Sequence, residues 1–175
     1  VATRRLLKAC DAIDRTLVGI GRAAGWLFLA ATAVISFDVV TRKFGFQLPG
    51  FGSTRLQELE WHLHAALFSL WLGAAYVRNA HVRIDTFVGG LGERSRAWLE
   101  LGGCVLFALP FCLTTLWFGI DYAWTAWVRN EASVSLSGLP WRWIPKSILA
   151  AGLLLLSAAV LSVAARRCAL LRSAK

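Results

Sequence analysis

Long uncharged apolar runs alternate with short charged clusters along this chain. Four runs stand out, over about residues 23–41, 61–77, 99–124 and 144–165. The shortest, Trp61 to Val77, covers about 26 Å as a helix, close to the thickness of a bilayer core. Lipid leaves no water to satisfy exposed backbone groups, so these runs are predicted as helices rather than strands. None presents the polar face that a helix of a soluble bundle shows to water. The pattern predicts an all-α integral membrane protein with four transmembrane helices in one domain over residues 1–175.

Composition agrees. Of 175 residues, 57% are hydrophobic and 17% charged, whereas soluble domains carry about a quarter charged. The formal net charge is +9. The basic residues flank the apolar runs and form no stripe interleaved with aromatics, so nucleic acid is not an expected partner. Thirteen Lys and Arg lie in the N-terminal stretch, the middle loop and the C-terminus, against six in the other two loops. The positive-inside rule then places both termini in the cytoplasm. Trp61, Trp124, Trp127, Trp141 and Trp143 all fall at the outer ends of the runs, the boundary that indole rings prefer. Cys10, Cys104, Cys112 and Cys168 form no C-x-x-C pair and read as small apolar residues.

The opening "VATRRLLKAC" is basic and lacks a long apolar core followed by a cleavage site, so no removable signal peptide is expected. Residues 1–22 instead read as an amphipathic helix. Leu6, Cys10, Ile13, Leu17 and Ile20 share one face, with Arg4, Lys8, Asp11, Arg15 and Arg22 opposite. Two arrangements fit: a helix lying on the membrane surface among lipid headgroups, or a cytoplasmic extension of the first span.

Candidate chemistry centres on "QELEWHLHAALF", where acids and histidines crowd before the second run. At about 100° per helical residue, Glu58 pairs with His62 and Glu60 with His64 on nearly opposite faces. That phase argues against one metal held by all four. The cluster stops near Trp61, too shallow for a proton relay. It reads as an interfacial group that sets helix depth and meets a partner. Asp38 and Arg42 form an i, i+4 pair. Asp121 and Lys146 also sit near outer ends, as candidate structural or interface positions. In the inner loop, His81, Arg83 and Asp85 are candidates, with Asp85 as a helix cap the simpler role. Ala151, Ala158, Ser162 and Ala165 form a small-residue face, suited to packing within the chain or against another subunit. There is no nucleophile–base set, paired catalytic acids or phosphate loop, so an enzyme is not expected. No cofactor is implied.

Three blocks carry a family resemblance. "LQELEWHLHAALFSLWLGAAYVRNAHVRID", "FDVVTRKF" and "SLSGLPWRWIPKSIL" resemble, in order and spacing, the small permease subunit of TRAP (tripartite ATP-independent periplasmic) transporters. They are also similar to the branch associated with mannitol, chloroaromatic or 2-oxo acid uptake. The "LLLLSAAVLSVAARR" end of the fourth run departs from the family in lacking a Leu-Gln pair. The resemblance implies a bacterial inner-membrane subunit that scaffolds a large multi-span permease subunit. It further implies a periplasmic solute-binding protein as partner and an ion gradient, sodium above all, driving uptake of an organic acid. The rival expectations are an accessory haem-binding subunit of a redox complex and a free-standing small transporter. The helices show no inverted repeat or broken pair of the kind that builds a substrate site.

Overall fold

The computed structural model describes residues 2–46, 52–80 and 90–173, and every regular element among them is helical. They are α1 (Ala2–Lys43), α2 (Ser53–Val77), α3 (Glu93–Gly103), α4 (Leu109–Val128) and α5 (Trp143–Ser173). A π-helical segment, Cys104–Ala108, joins α3 to α4 without a break. Pro110 follows immediately; it offers no N–H and crowds the carbonyl one turn back, which widens the helix there. Three stretches are long and apolar enough to cross a membrane: Thr3–Lys43, Glu93–Val128 and Trp143–Arg172. The chain is an integral membrane protein. At 25 residues α2 has the length, but Glu58, Glu60, His62 and His64 dilute its apolar character.

The N-terminal stretch is a straight continuation of the first apolar run, within one 42-residue helix. Of the face expected to be apolar, Cys10 and Leu17 are buried, whereas Leu6 and Ile13 remain exposed. Along α1 every seventh residue is buried: Cys10, Leu17, Ala24, Ala31 and Asp38. This is a coiled-coil seam, with an acid in its last position.

Three helices end alike. Asn79, Asn130 and Gly45 have φ of 55°, 46° and 70°. The next N–H reaches back to close the last turn, from Ala80 to the Ala75 carbonyl, Glu131 to Ala126 and Phe46 to Thr41. These are Schellman endings, which need a left-handed residue that Asn and Gly tolerate best. The repeated Val-Arg-Asn at 77–79 and 128–130 marks two of the stops in the sequence itself.

Helix α5 is the centre. It packs against α1, α2, α3 and α4, while α4 meets neither α1 nor α2 among the described residues. Small residues set the crossings. A Cβ on Gly152 would lie 2.5 Å from the Ser69 carbonyl oxygen, and one on Gly73 2.9 Å from that of Leu155. Helices α1 and α2 meet similarly, with Gly21 against Ala74 and the Trp71 indole Nε1–H donating to the Gly21 carbonyl at 2.7 Å. In membranes such close backbone contact replaces the hydrophobic drive that water supplies elsewhere. Below the π segment, Cys104, Cys112, Val160 and Ala164 form a buried cluster.

Gly152→Ala and Gly73→Ala should each cost about 1–3 kcal/mol by prising α2 from α5. Gly25→Ala, with open space around it, should leave stability level or slightly raised. Thermal unfolding in detergent measures this; equal midpoints for all three variants would contradict the crossing.

Candidate functional site

At the end of the bundle where α2 and α5 begin, one carboxylate organises a loop. Glu58 Oε2 accepts the Leu139 N–H at 2.6 Å, and Oε1 accepts from the Ser133 hydroxyl and from Arg142 Nη2 at 3.0 Å. The loop closes on itself as well, Ser133 N–H to the Leu139 carbonyl at 3.1 Å and Arg142 N–H to Glu131 at 2.9 Å. Arg55 Nε adds a bond to the Ser137 carbonyl at 3.1 Å. A Cβ on Gly138 would meet both Ser133 and Glu58, so the clamp requires glycine there. Burial alone would raise the Glu58 carboxyl, but the Leu139 N–H, the Ser133 hydroxyl and the Arg142 guanidinium outweigh it and hold it below the ordinary range. Ser133 turns inward to Glu58 while Ser135 and Ser137 remain exposed, and Val134 and Leu136 stand fully exposed at 99% and 107%.

The far side of the loop is fixed by Lys146. Its Nζ lies 2.5 Å from Glu131 Oε2 and 3.7 Å from the Tyr122 ring centroid, a buried cation held by one acid and one aromatic face. Trp127 and Trp143 meet edge to face at 4.6 Å. Trp141 has φ of 62°, a strained value for a bulky residue, kept in place by the closures on either side of it.

Helical phase divides the acids of α2. Glu58 takes the loop; Glu60 belongs near α1, where Asp38 is fully buried. Arg42 Nη2 lies 2.8 Å from Asp38 Oδ2, while Asp38 Oδ1 and Glu60 Oε1 are buried without a hydrogen-bond donor. Burial, and then the Asp38 charge, push the Glu60 carboxyl above its ordinary value, against the pull of Arg42. Trp61 is 74% exposed and faces away from the bundle. His62 is half-buried, His64 exposed, and Asp121 exposed on α4. His81, Arg83 and Asp85 lie outside the described residues. No group of three or more His, Cys, Asp or Glu converges as a metal site among the described residues.

A second polar clamp closes the opposite end. Arg166 Nη2 bridges Asp11 Oδ1 at 2.8 Å and Asp14 Oδ2 at 2.7 Å, and the buried Ser162 hydroxyl donates to Asp14 Oδ1 at 2.7 Å. The bond from Asp11 raises the Arg166 guanidinium above its ordinary value, with Asp14 reinforcing it against burial. Arg167 pairs with Glu100 of α3. The Arg166 and Ser162 contacts tie the N-terminal part of α1 to α5, and Arg167 ties α3 to it. They account for Ser162 in the small-residue face. Ala158 and Ala165 are half-buried and Ala151 is exposed, the tight crossing being made by its neighbour Gly152. Lys146 and Arg166 stand about 30 Å apart along α5, one bilayer core between the two clamps.

Sequence reasoning singled out Glu58, Lys146 and Ser162 but not their partners Ser133, Leu139, Glu131, Asp14 and Arg166. The dense "SVSLSGLP" run, with serines at alternate positions, was the available signal for the loop.

Apolar helices clamped by polar clusters at both ends define a membrane-embedded helical bundle. The family described as Tripartite ATP-independent periplasmic transporters, DctQ component, matches residues 31–170. The chain belongs to that family, the small permease component of TRAP transporters. No curated protein and no solved structure matches it.

Glu58→Ala strands the Leu139 N–H and Arg142, and should cost about 1.5–3 kcal/mol. Because the folded carboxyl sits below its unfolded value of about 4.3, its contribution is full above that pH and fades as pH falls through the folded value. Tryptic nicking after Arg129 or Arg142 should therefore be slow in the wild type at neutral pH and rapid in Glu58→Ala. Equal nicking rates would show that Glu58 does not hold the loop.

Proposed function

We propose that this chain is the small subunit of an ion-gradient-driven, sodium-coupled TRAP transporter for an organic acid or related solute. It crosses the bacterial inner membrane four times with both termini in the cytoplasm, scaffolds the large permease subunit, and helps form the periplasmic face on which the solute-binding protein docks. The observation that carries the docking role is the clamped α4–α5 loop. Val134 and Leu136 are displayed at full exposure on a backbone fixed by Glu58, so little ordering remains to oppose binding.

The supporting role is favoured by what the helices do with their polar groups. Those of Glu58, Lys146 and Arg166 are committed to contacts at the two ends. A carrier places such groups at mid-membrane around broken helices. The second of the four spans is α2, whose apolar part follows Trp61 and whose polar start lies at the outer water boundary.

Tagged protein, expressed with its neighbouring genes, should co-purify with a large multi-span subunit. A chain that is monodisperse and stable alone, with no such partner encoded beside it, would defeat the proposal. Val134→Ser with Leu136→Ser should lower solute uptake by about tenfold, as expected for losing about 1.4 kcal/mol of docking energy, while leaving the yield of the large subunit unchanged. Unaltered uptake would remove the loop from the docking face.

A further inference from the structure

Every acid of the two clamps is paired with a base, but Asp121 is left over. It lies on α4, exposed, and makes no hydrogen bond or ion pair among the described residues. The nearby cation, Lys146, is already committed to Glu131 and the Tyr122 ring. Asp121 lies just inside the outer boundary. Trp124 and Trp127, 64% and 55% exposed, mark the water boundary at this end of α4. Asp121 is about 9 Å further in than Trp127 along the helix. An uncompensated carboxylate on a lipid-facing surface is unfavourable, and such residues face protein or a water-filled cavity instead.

The surroundings are shaped for protein. Asp121 lines an open groove of about 540 Å³ between α4 and α5, with Phe118, Thr125, Leu149 and Leu153 among its walls. Gly119 forms its floor: a Cβ there would lie 3.1 Å from Leu153 Cδ1, so α4 and α5 meet closely and leave a furrow above. The outward side of α1 differs. Trp26, Phe28, Leu29 and Ile35 are exposed there with no charged residue from Ala23 to Phe37, a surface suited to acyl chains. His64 is exposed too, one turn from Trp61.

We propose that the α4–α5 groove seats a transmembrane helix of the large permease subunit, which brings a lysine or arginine to Asp121. This rests on the subunit role given above and names the face that performs it. The apolar walls supply packing, and the carboxylate supplies register, since a cation at any other depth of the incoming helix leaves both charges unpaired.

The test uses this chain expressed with the large permease subunit encoded beside it, carrying a benzophenone amino acid at Phe118 or, as a control, at Phe28. Illumination should link position 118 to the large subunit and position 28 to none. Asp121→Lys should cut the co-purified large subunit by about tenfold or more, because like charges then meet in the groove; Asp121→Asn should cut it less. Crosslinks from position 28 alone would overturn the groove while leaving the subunit role intact. So would crosslinks from position 118 only to lipid or to a second copy of this chain, or full yield with Asp121→Lys. If the wild type brings down no large subunit, the functional reading falls and this proposal with it.

Discussion

The structure depends on how closely α5 can be approached. At Gly152 the Ser69 carbonyl occupies the space where a side chain would begin, and Gly73 repeats the arrangement one turn along α2 against Leu155. Lipid tails are as apolar as leucine, so sequestering apolar surface from them gains little. What remains is dispersion, which falls off steeply with small gaps. Two glycines at one crossing bring backbones into contact over a full turn. With α2 seated, Gly21 admits α1 against Ala74, and the π segment of the third helix completes the far side of α5.

Polar clamps then do what small residues do not. Packing of smooth helices leaves sliding and rotation weakly specified; a charged pair with one geometry removes that freedom. The Asp11–Asp14–Arg166–Ser162 set joins the first and last helices at one end. Glu58, Arg142, Lys146 and Glu131 join the second, fourth and fifth helices and their loop at the other. The two sets lie about 30 Å apart along α5, so neither puts a charge in the middle of its apolar stretch.

Much of this was legible in the residues. Apolar runs and tryptophan belts located the helices, because bilayer thickness acts on sequence directly. Helical phase separated Glu58 from Glu60, since 100° per residue holds wherever a helix forms. Partners were less legible. Glu58 binds a backbone N–H more than eighty residues away, and a wheel describes faces rather than neighbours. Beside Ala151 in the small face, glycine at 152, the residue that leaves no side chain at all, makes the closest approach. For the N-terminal segment, the stripe through Leu6 and Ile13 gave a direction without a destination. Its anchor is polar, Asp14 on Ser162 and Arg166.

The seam of α1 carries a consequence for length. Its buried positions recur every seven residues from Cys10 to Asp38, through the charged N-terminal part and the apolar run alike. Adding or removing one residue anywhere between would turn everything downstream by about 100°. Asp38 would leave its place beside α2 and swing toward lipid, and Arg42 with it. The helix is therefore gauged as well as patterned: a whole heptad keeps the phase but would slide one end by about 10 Å against α2 and α5, whose lengths are unchanged.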